Sequence, residues 1–228
     1  MPRVDFRTPR LFVDLPLAQG EDIRLDKAQG HYLANVLRLK SGDDVLVFNG
    51  RDGEWRARLL PGKRLDHLTL TERLRAQETS PDIHLAFAPL KHARLDYMVQ
   101  KAVEMGVSRL VPVITRYTQV TRVNVERMRA NVIEAAEQCG ILAMPEVAEP
   151  LALDAYLAGR EPERMVIFCD EAADVANPVA ALGGHTGKPL SVLVGPEGGF
   201  APEERERLLT MPNHLRLSLG PRVLRADT

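Results

Sequence analysis

Cysteine is nearly absent: Cys139 and Cys169 are the only two in 228 residues. Two thiols cannot build a disulfide framework or complete a zinc site alone, which points to a reducing, cytosolic setting. Long apolar runs are missing too, and none approaches the roughly 18 residues that a membrane span needs. The stretch Met1-Pro2-Arg3-Val4-Asp5-Phe6-Arg7 has no apolar core behind its charges and does not read as a secretory signal. Net charge is small, since 30 Lys and Arg against 31 Asp and Glu leave −1. That excludes a protein holding nucleic acid by its overall field, although local patches remain open. The six histidines (His31, His67, His84, His92, His185 and His214) show no metal-ligand spacing, so no metal is expected.

What is present is globular. Hydrophobic residues make up 45% and charged residues 27%, which excludes global disorder. The length supports one large domain, or one medium plus one small, with no need for a covalent staple. Charge divides unevenly: residues 1–78 hold 14 Lys and Arg against 12 Asp and Glu, and residues 79–228 hold 16 against 19. Arg3, Arg7 and Arg10 form a short basic arm. Such an arm suits phosphate contact through the fork of guanidinium donors, and equally suits a solvated terminus.

Two textures follow one another. Up to about residue 75 the signals are mostly β. Strands are predicted at 44–48 and 54–59, flanking the turn-rich Asn49-Gly50-Arg51-Asp52-Gly53, and at 67–72, where apolar and polar residues alternate. One helix intervenes, capped by Asp26 and striped by Leu33, Val36 and Leu37. This predicts a small β-barrel-like domain over residues 1–75. A polar, proline-containing linker at 76–82 precedes a second domain over 83–228. There, apolar strands at 84–88, 110–114, 165–169, 190–194 and 215–219 alternate with helices. One helix carries Leu95, Met98, Val99, Ala102 and Val103 on its face; the next carries Val125, Met128, Val132, Ala135, Ala136 and Cys139. Cys139 therefore reads as a packed thiol. The alternation predicts an α/β domain with a mostly parallel sheet and helices on both sides.

Chemistry concentrates at two turns. Val194-Gly195-Pro196-Glu197-Gly198-Gly199-Phe200-Ala201-Pro202 runs from a strand through a glycine-rich loop to a helix start marked by Pro202. The Lys-Ser/Thr ending of a phosphate loop is absent, as is dinucleotide-fingerprint spacing. Glu197, Glu203 and Glu204 would also repel a phosphate there. An acidic glycine loop suits a neutral or cationic ligand better, such as a nucleoside carrying a sulfonium; a tight turn without a ligand is the plainer alternative. The second turn is Ser218-Leu219-Gly220-Pro221-Arg222-Val223-Leu224-Arg225-Ala226-Asp227-Thr228, in which two arginines three apart bracket apolar residues.

Taken together, Leu193–Phe200 and Leu219–Thr228 resemble the ribosomal RNA small subunit methyltransferase E family of the SPOUT superfamily. His31–Leu33 and Val36–Asp43 are similar to that family's PUA-like domain. Gln100–Val107 and Glu134–Gly140 are similar to its early SPOUT helices. The likeness runs in order along nearly the whole chain. It departs at Ile141, where the family often has Arg; at Ala201, where Ser or Thr is usual as a cap; and at Asp227, where Glu is commoner. The family also continues past this Thr with a further helix, so a C-terminal helix is expected to be missing from residues 83–228.

The resemblance implies a fold and a reaction. The fold is an N-terminal PUA-like RNA-binding barrel followed by a knotted parallel α/β domain with a trefoil knot, acting as a homodimer in the cytoplasm. The reaction is S-adenosyl-L-methionine-dependent methylation of uridine N3 in 16S ribosomal RNA of the small ribosomal subunit. The cofactor would lie on Val194, Gly195, Pro196, Glu197, Gly198, Gly199, Ser218, Leu219, Gly220, Val223 and Leu224. Arg225 would stabilise charge on the uracil oxygens, with Arg222 in support; both read equally as phosphate contacts or surface ion pairs. Glu197 would act as base or hold the methionine amino group, unless it merely stabilises the loop. Arg3, Arg7, Arg10 and Lys91 are the candidate RNA contacts. Trp55 and Tyr32 are aromatic enough to stack bases, but in a small barrel they read as core. A non-enzymatic RNA-binding module stays open as a second reading, and a transfer-RNA methyltransferase of the same superfamily as a third.

Overall fold

The computed structural model describes residues 5, 7–62, 65–120, 122–173, 177–220 and 222. By contacts the chain forms two compact units. One comprises the described residues of 1–79 with 133–144; the other comprises those of 80–132 and 145–228.

The first unit is a five-stranded, barrel-like sheet of β1 (Arg10–Phe12), β2 (Asp22–Arg24), β3 (Asp44–Phe48), β4 (Glu54–Leu59) and β5 (His67–Arg75), ordered β1-β3-β4-β5-β2. Strands β3 and β4 pair antiparallel across the Asn49–Gly53 turn, with Val45 opposite Ala57 and Val47 opposite Trp55. The period-two pattern of β5 sends Leu68 and Leu70 into the core beside Leu33, Leu59 and Trp55. Each such Leu contributes about 1.5–3 kcal/mol when fully buried. Helix α1 (Lys27–His31) starts as a capping box: Asp26 Oδ1 accepts from Gln29 N at 2.7 Å, and Gln29 Oε1 accepts from Asp26 N at 3.1 Å. It continues into a π-helical turn, Tyr32–Val36. Trp55 is core, donating its indole N–H to Asp52 O at 3.1 Å, and Tyr32 packs against the same cluster.

An ion cluster sits within this unit. The buried Glu54 carboxylate accepts from Arg10 Nε at 2.6 Å and from Arg75 Nε at 2.8 Å. The same arginines donate onward to the carbonyls of Glu137, at 3.3 Å, and Gly140, at 2.8 Å. Those carbonyls lie at the end of α3 (Val125–Cys139), where helix carbonyls lack intrahelical partners and a cation is favoured.

The second unit holds a sheet ordered β12-β10-β11-β6-β7-β8. Its members are β6 (Ile83–Phe87), β7 (Arg109–Ile114), β8 (Glu146–Val147), β10 (Met165–Cys169), β11 (Leu190–Val194) and β12 (His214–Leu217). The two-residue β9 (Leu151–Ala152) also pairs β7, and every pairing is parallel. The connecting helices are α2 (His92–Glu104), the part of α3 up to Val132, α4 (Leu153–Gly159), α5 (Pro178–Leu182) and α6 (Pro202–Thr210). The face predicted for α2 is buried at all five positions, from Leu95 to Val103. That of α3 is buried from Val125 to Ala136, but Cys139 is exposed. This corrects the packed-thiol expectation: Cys139 is the last residue of α3 and is exposed. Ala86, Val113, Phe168, Leu193 and Leu208 pack together as the core. Among the described residues no helix is long and apolar enough to cross a membrane.

Candidate functional site

Because its strands are parallel, the second unit gathers their C-terminal ends along one edge, where open α/β sheets place ligand crevices. The Gly195–Ala201 loop leaves β11 at that edge, and residues 218–220 leave β12 there. The two are not ladder neighbours, because β10 stands between β11 and β12. The loop from β10, beginning at Asp170, therefore belongs to the same edge.

Within the Gly195–Gly199 loop the glycines do different work. A Cβ on Gly195 would lie 2.6 Å from the Phe200 ring. That ring meets Phe168 edge-on, with centroids 5.2 Å apart. Gly195 thus makes room for an aromatic that anchors the loop to the core. Gly199 takes φ +72° to close a turn in which its N–H reaches Pro196 O at 2.9 Å. Gly198 is exposed, and a Cβ there would sit 3.4 Å from Cβ of Tyr117. Close approach to a ligand therefore falls to Gly198; the other two already have internal reasons. The N–H groups of Gly195 and Gly198 have no hydrogen-bond partner among the described residues.

Helix α6 follows without a side-chain cap, since Ala201 has no acceptor. Glu204 compensates: Oε2 accepts from Ala201 N at 2.9 Å and Oε1 from Arg116 N at 2.8 Å. Its charge is thus spent on two backbone donors, tying the loop after β7 to the start of α6. Glu197 is about half exposed and faces Arg94 at 3.9 Å. Ser218 is partly buried, Leu219, Gly220 and Arg222 are exposed, and Ser218 Oγ lies 3.4 Å from Gly220 N. Val223, Leu224 and Arg225 lie outside the described residues.

Asp170, which sequence reasoning missed, is buried at the end of β10. Its Oδ2 accepts from Arg205 of α6 at 2.9 Å and from Arg216 of β12 at 3.0 Å; Oδ1 accepts from Ala172 N at 3.1 Å. Burial pushes its pKa up, but the Arg205, Ala172 and Arg216 hydrogen bonds outweigh this and hold it below the ordinary carboxylate value. One carboxylate so fixes α6 and β12 against the β10 loop. The only signal for it in the sequence is an acid directly after an apolar strand.

The four arm and loop cations separate. Arg7 and Lys91 are exposed, and Arg3 lies outside the described residues. Arg10 is buried on Glu54, which corrects its assignment as an RNA contact: its charge is already neutralised inside the first unit. Among the described residues no group of three or more His, Cys, Asp or Glu side chains forms a metal site.

Comparison with known proteins agrees with this geometry. Residues 77–228 match the RNA methyltransferase domain family, and residues 25–66 match the RNA methyltransferase PUA domain. The chain is 32% identical over 222 residues to ribosomal RNA small subunit methyltransferase E of Rickettsia conorii, covering 96% of this chain and 90% of that one. A methyltransferase from Legionella pneumophila, solved with the cofactor SAM bound, superimposes with TM-score 0.83 at 30% identity. It covers 97% of this chain and 93% of its own. Ribosomal RNA small subunit methyltransferase E from Neisseria gonorrhoeae, bound to S-adenosyl methionine, gives TM-score 0.82 at 25% identity, over 97% and 92%. A barrel-like unit with a PUA match, a parallel α/β unit with a glycine loop at its ligand edge and full-length similarity place this chain in the ribosomal RNA small subunit methyltransferase E family.

Proposed function

We propose that the chain transfers the methyl group of S-adenosylmethionine to N3 of a specific uridine in 16S ribosomal RNA of the small subunit, as a cytoplasmic homodimer. The observation that carries this is the uncommitted backbone of Gly195 and Gly198 at the same sheet edge as Ser218–Gly220, in a chain with two cofactor-bound relatives. The residues suit the group. Adenosine is neutral and needs apolar walls with backbone donors and acceptors, a role we assign to Val194–Gly199 and to Ser218, Leu219, Gly220, Val223 and Leu224. A sulfonium is cationic, and Glu197 puts a negative charge on the loop that would meet it.

When bound, the cofactor supplies an electrophilic methyl group on positively charged sulfur. The chain then positions its reactants, and that orientation supplies much of the acceleration. Uracil N3 must lose its proton; Glu197, a half-exposed carboxylate of the loop, would accept it as general base or hold the methionine amino group. Arg225, supported by Arg222, offsets the charge that develops on the flanking carbonyl oxygens. Arg3, Arg7 and Lys91 contact RNA phosphates. Nucleoside mass mapping of small-subunit RNA from cells lacking the protein tests the assignment. Loss of one 3-methyluridine, restored by a gene copy, is expected; an unchanged 3-methyluridine content would reject it.

A further inference from the structure

A cavity of about 610 Å³ opens beside the glycine loop, lined by residues of the loop after β7 (Thr115, Arg116, Tyr117) and by the starts of α4 and α6. Its charges are largely internal. Arg207 pairs with Asp154, and both Glu204 oxygens accept backbone N–H groups. Two features are left over. Tyr117 is 47% exposed, although large aromatics are normally covered, and it stands against Gly198. The Arg116 guanidinium is exposed and has no acceptor among the described residues.

We infer that Tyr117 stacks a base of the RNA substrate, the target nucleotide turned out toward the loop at Gly198, while Arg116 contacts the phosphate beside it. This rests on the function proposed above and names the site that receives the base. Four physical points support it. Enzymes acting on a base atom need that base unstacked from its neighbours and held by an aromatic or apolar surface. The remaining acid, Glu203, makes the cavity poor for a bare anion but acceptable for a neutral ring. The cation needed for the phosphate is on the adjacent residue, Arg116. Glycine at 198 lets the ring and a ligand on the loop approach without an intervening side chain.

The test compares an oligouridine with an abasic oligonucleotide of equal length, measured by fluorescence anisotropy without cofactor. Phosphate contacts are common to both probes, so only base stacking separates them. The wild type is expected to prefer the oligouridine by roughly five- to 150-fold, the effect of stacking one base. Tyr117→Phe should keep that preference, Tyr117→Ala should lose it, and Arg116→Ala should weaken both probes equally. Calorimetric affinity for S-adenosylmethionine should not change in the variants. Absence of a preference in the wild type, or its persistence in Tyr117→Ala, overturns the inference, as does a Tyr117→Ala change in self-association, which would assign the ring to a second copy. A wild type that shows the base preference but transfers no methyl would instead refute the function proposed above.

Discussion

Arg10 Nε donates to Glu54 Oε1 at 2.6 Å, and the two side chains are only 4% and 2% exposed. Breaking a buried pair leaves an uncompensated charge, so Arg10→Ala should destabilise the protein by about 3–5 kcal/mol. Its salt dependence of RNA binding should match the wild type. Denaturant unfolding with binding titrations at several salt concentrations checks both; a stable Arg10→Ala with a flattened salt slope would make Arg10 an RNA contact after all.

Acid should unfold the protein through the same cluster. Burial alone would raise the Glu54 pKa, but hydrogen bonds and charges from Arg75 and Arg10 outweigh it and hold it below the ordinary value. A depressed folded-state pKa contributes stability that is present above the unfolded value, about 4.3, and is lost as pH falls through the folded one. Asp170 adds in the same direction. Melting temperatures should therefore fall steeply below about pH 4, and Glu54→Gln should be less stable at neutral pH with a shallower acid loss. An unchanged acid limb in Glu54→Gln would contradict this.

The glycine loop separates structural from ligand roles. Gly195→Ala forces Cβ against the Phe200 ring and should cost about 1–3 kcal/mol through overpacking. Gly198→Ala meets Tyr117 only at 3.4 Å and should leave stability within about 0.5 kcal/mol. Gly198→Val should nevertheless lose cofactor affinity by calorimetry. Equal melting temperatures for the Gly195→Ala and Gly198→Ala variants would refute the division.

The two thiols should differ sharply. Burial raises the Cys169 pKa to about 11, whereas Cys139 is exposed. Because the thiolate is the reactive form, an aromatic disulfide reagent at pH 8 should titrate one thiol in the native protein and two after denaturation. Rapid reaction of both in the native state would contradict the protection that partial burial gives Cys169.

How much of this was legible in the sequence depended on how local each cause was. Strands β3, β4, β10 and β11 have the bounds that periodicity and turn residues predict. The capping box at Asp26 could be anticipated from its Asp; only its Gln29 half required the structure. Strand β1 was not legible, because three residues beginning with an arginine look like a solvated arm. Its cause is non-local: parallel pairing with β3 and a carboxylate 44 residues away. Asp170 failed for the same reason, since its partners Arg205 and Arg216 stand 35 and 46 residues on. Tyr117 shows as a site residue only once the fold sets it against Gly198.

Methyl transfer to uridine N3 is checked by incubating the purified protein with small ribosomal subunits and methyl-labelled S-adenosylmethionine, then mapping the labelled nucleoside by mass. Label is expected in 3-methyluridine at one site in 16S RNA, with its loss in Arg225→Ala while RNA affinity is little changed. Label on another atom or another RNA, or none despite measured cofactor binding, would contradict it.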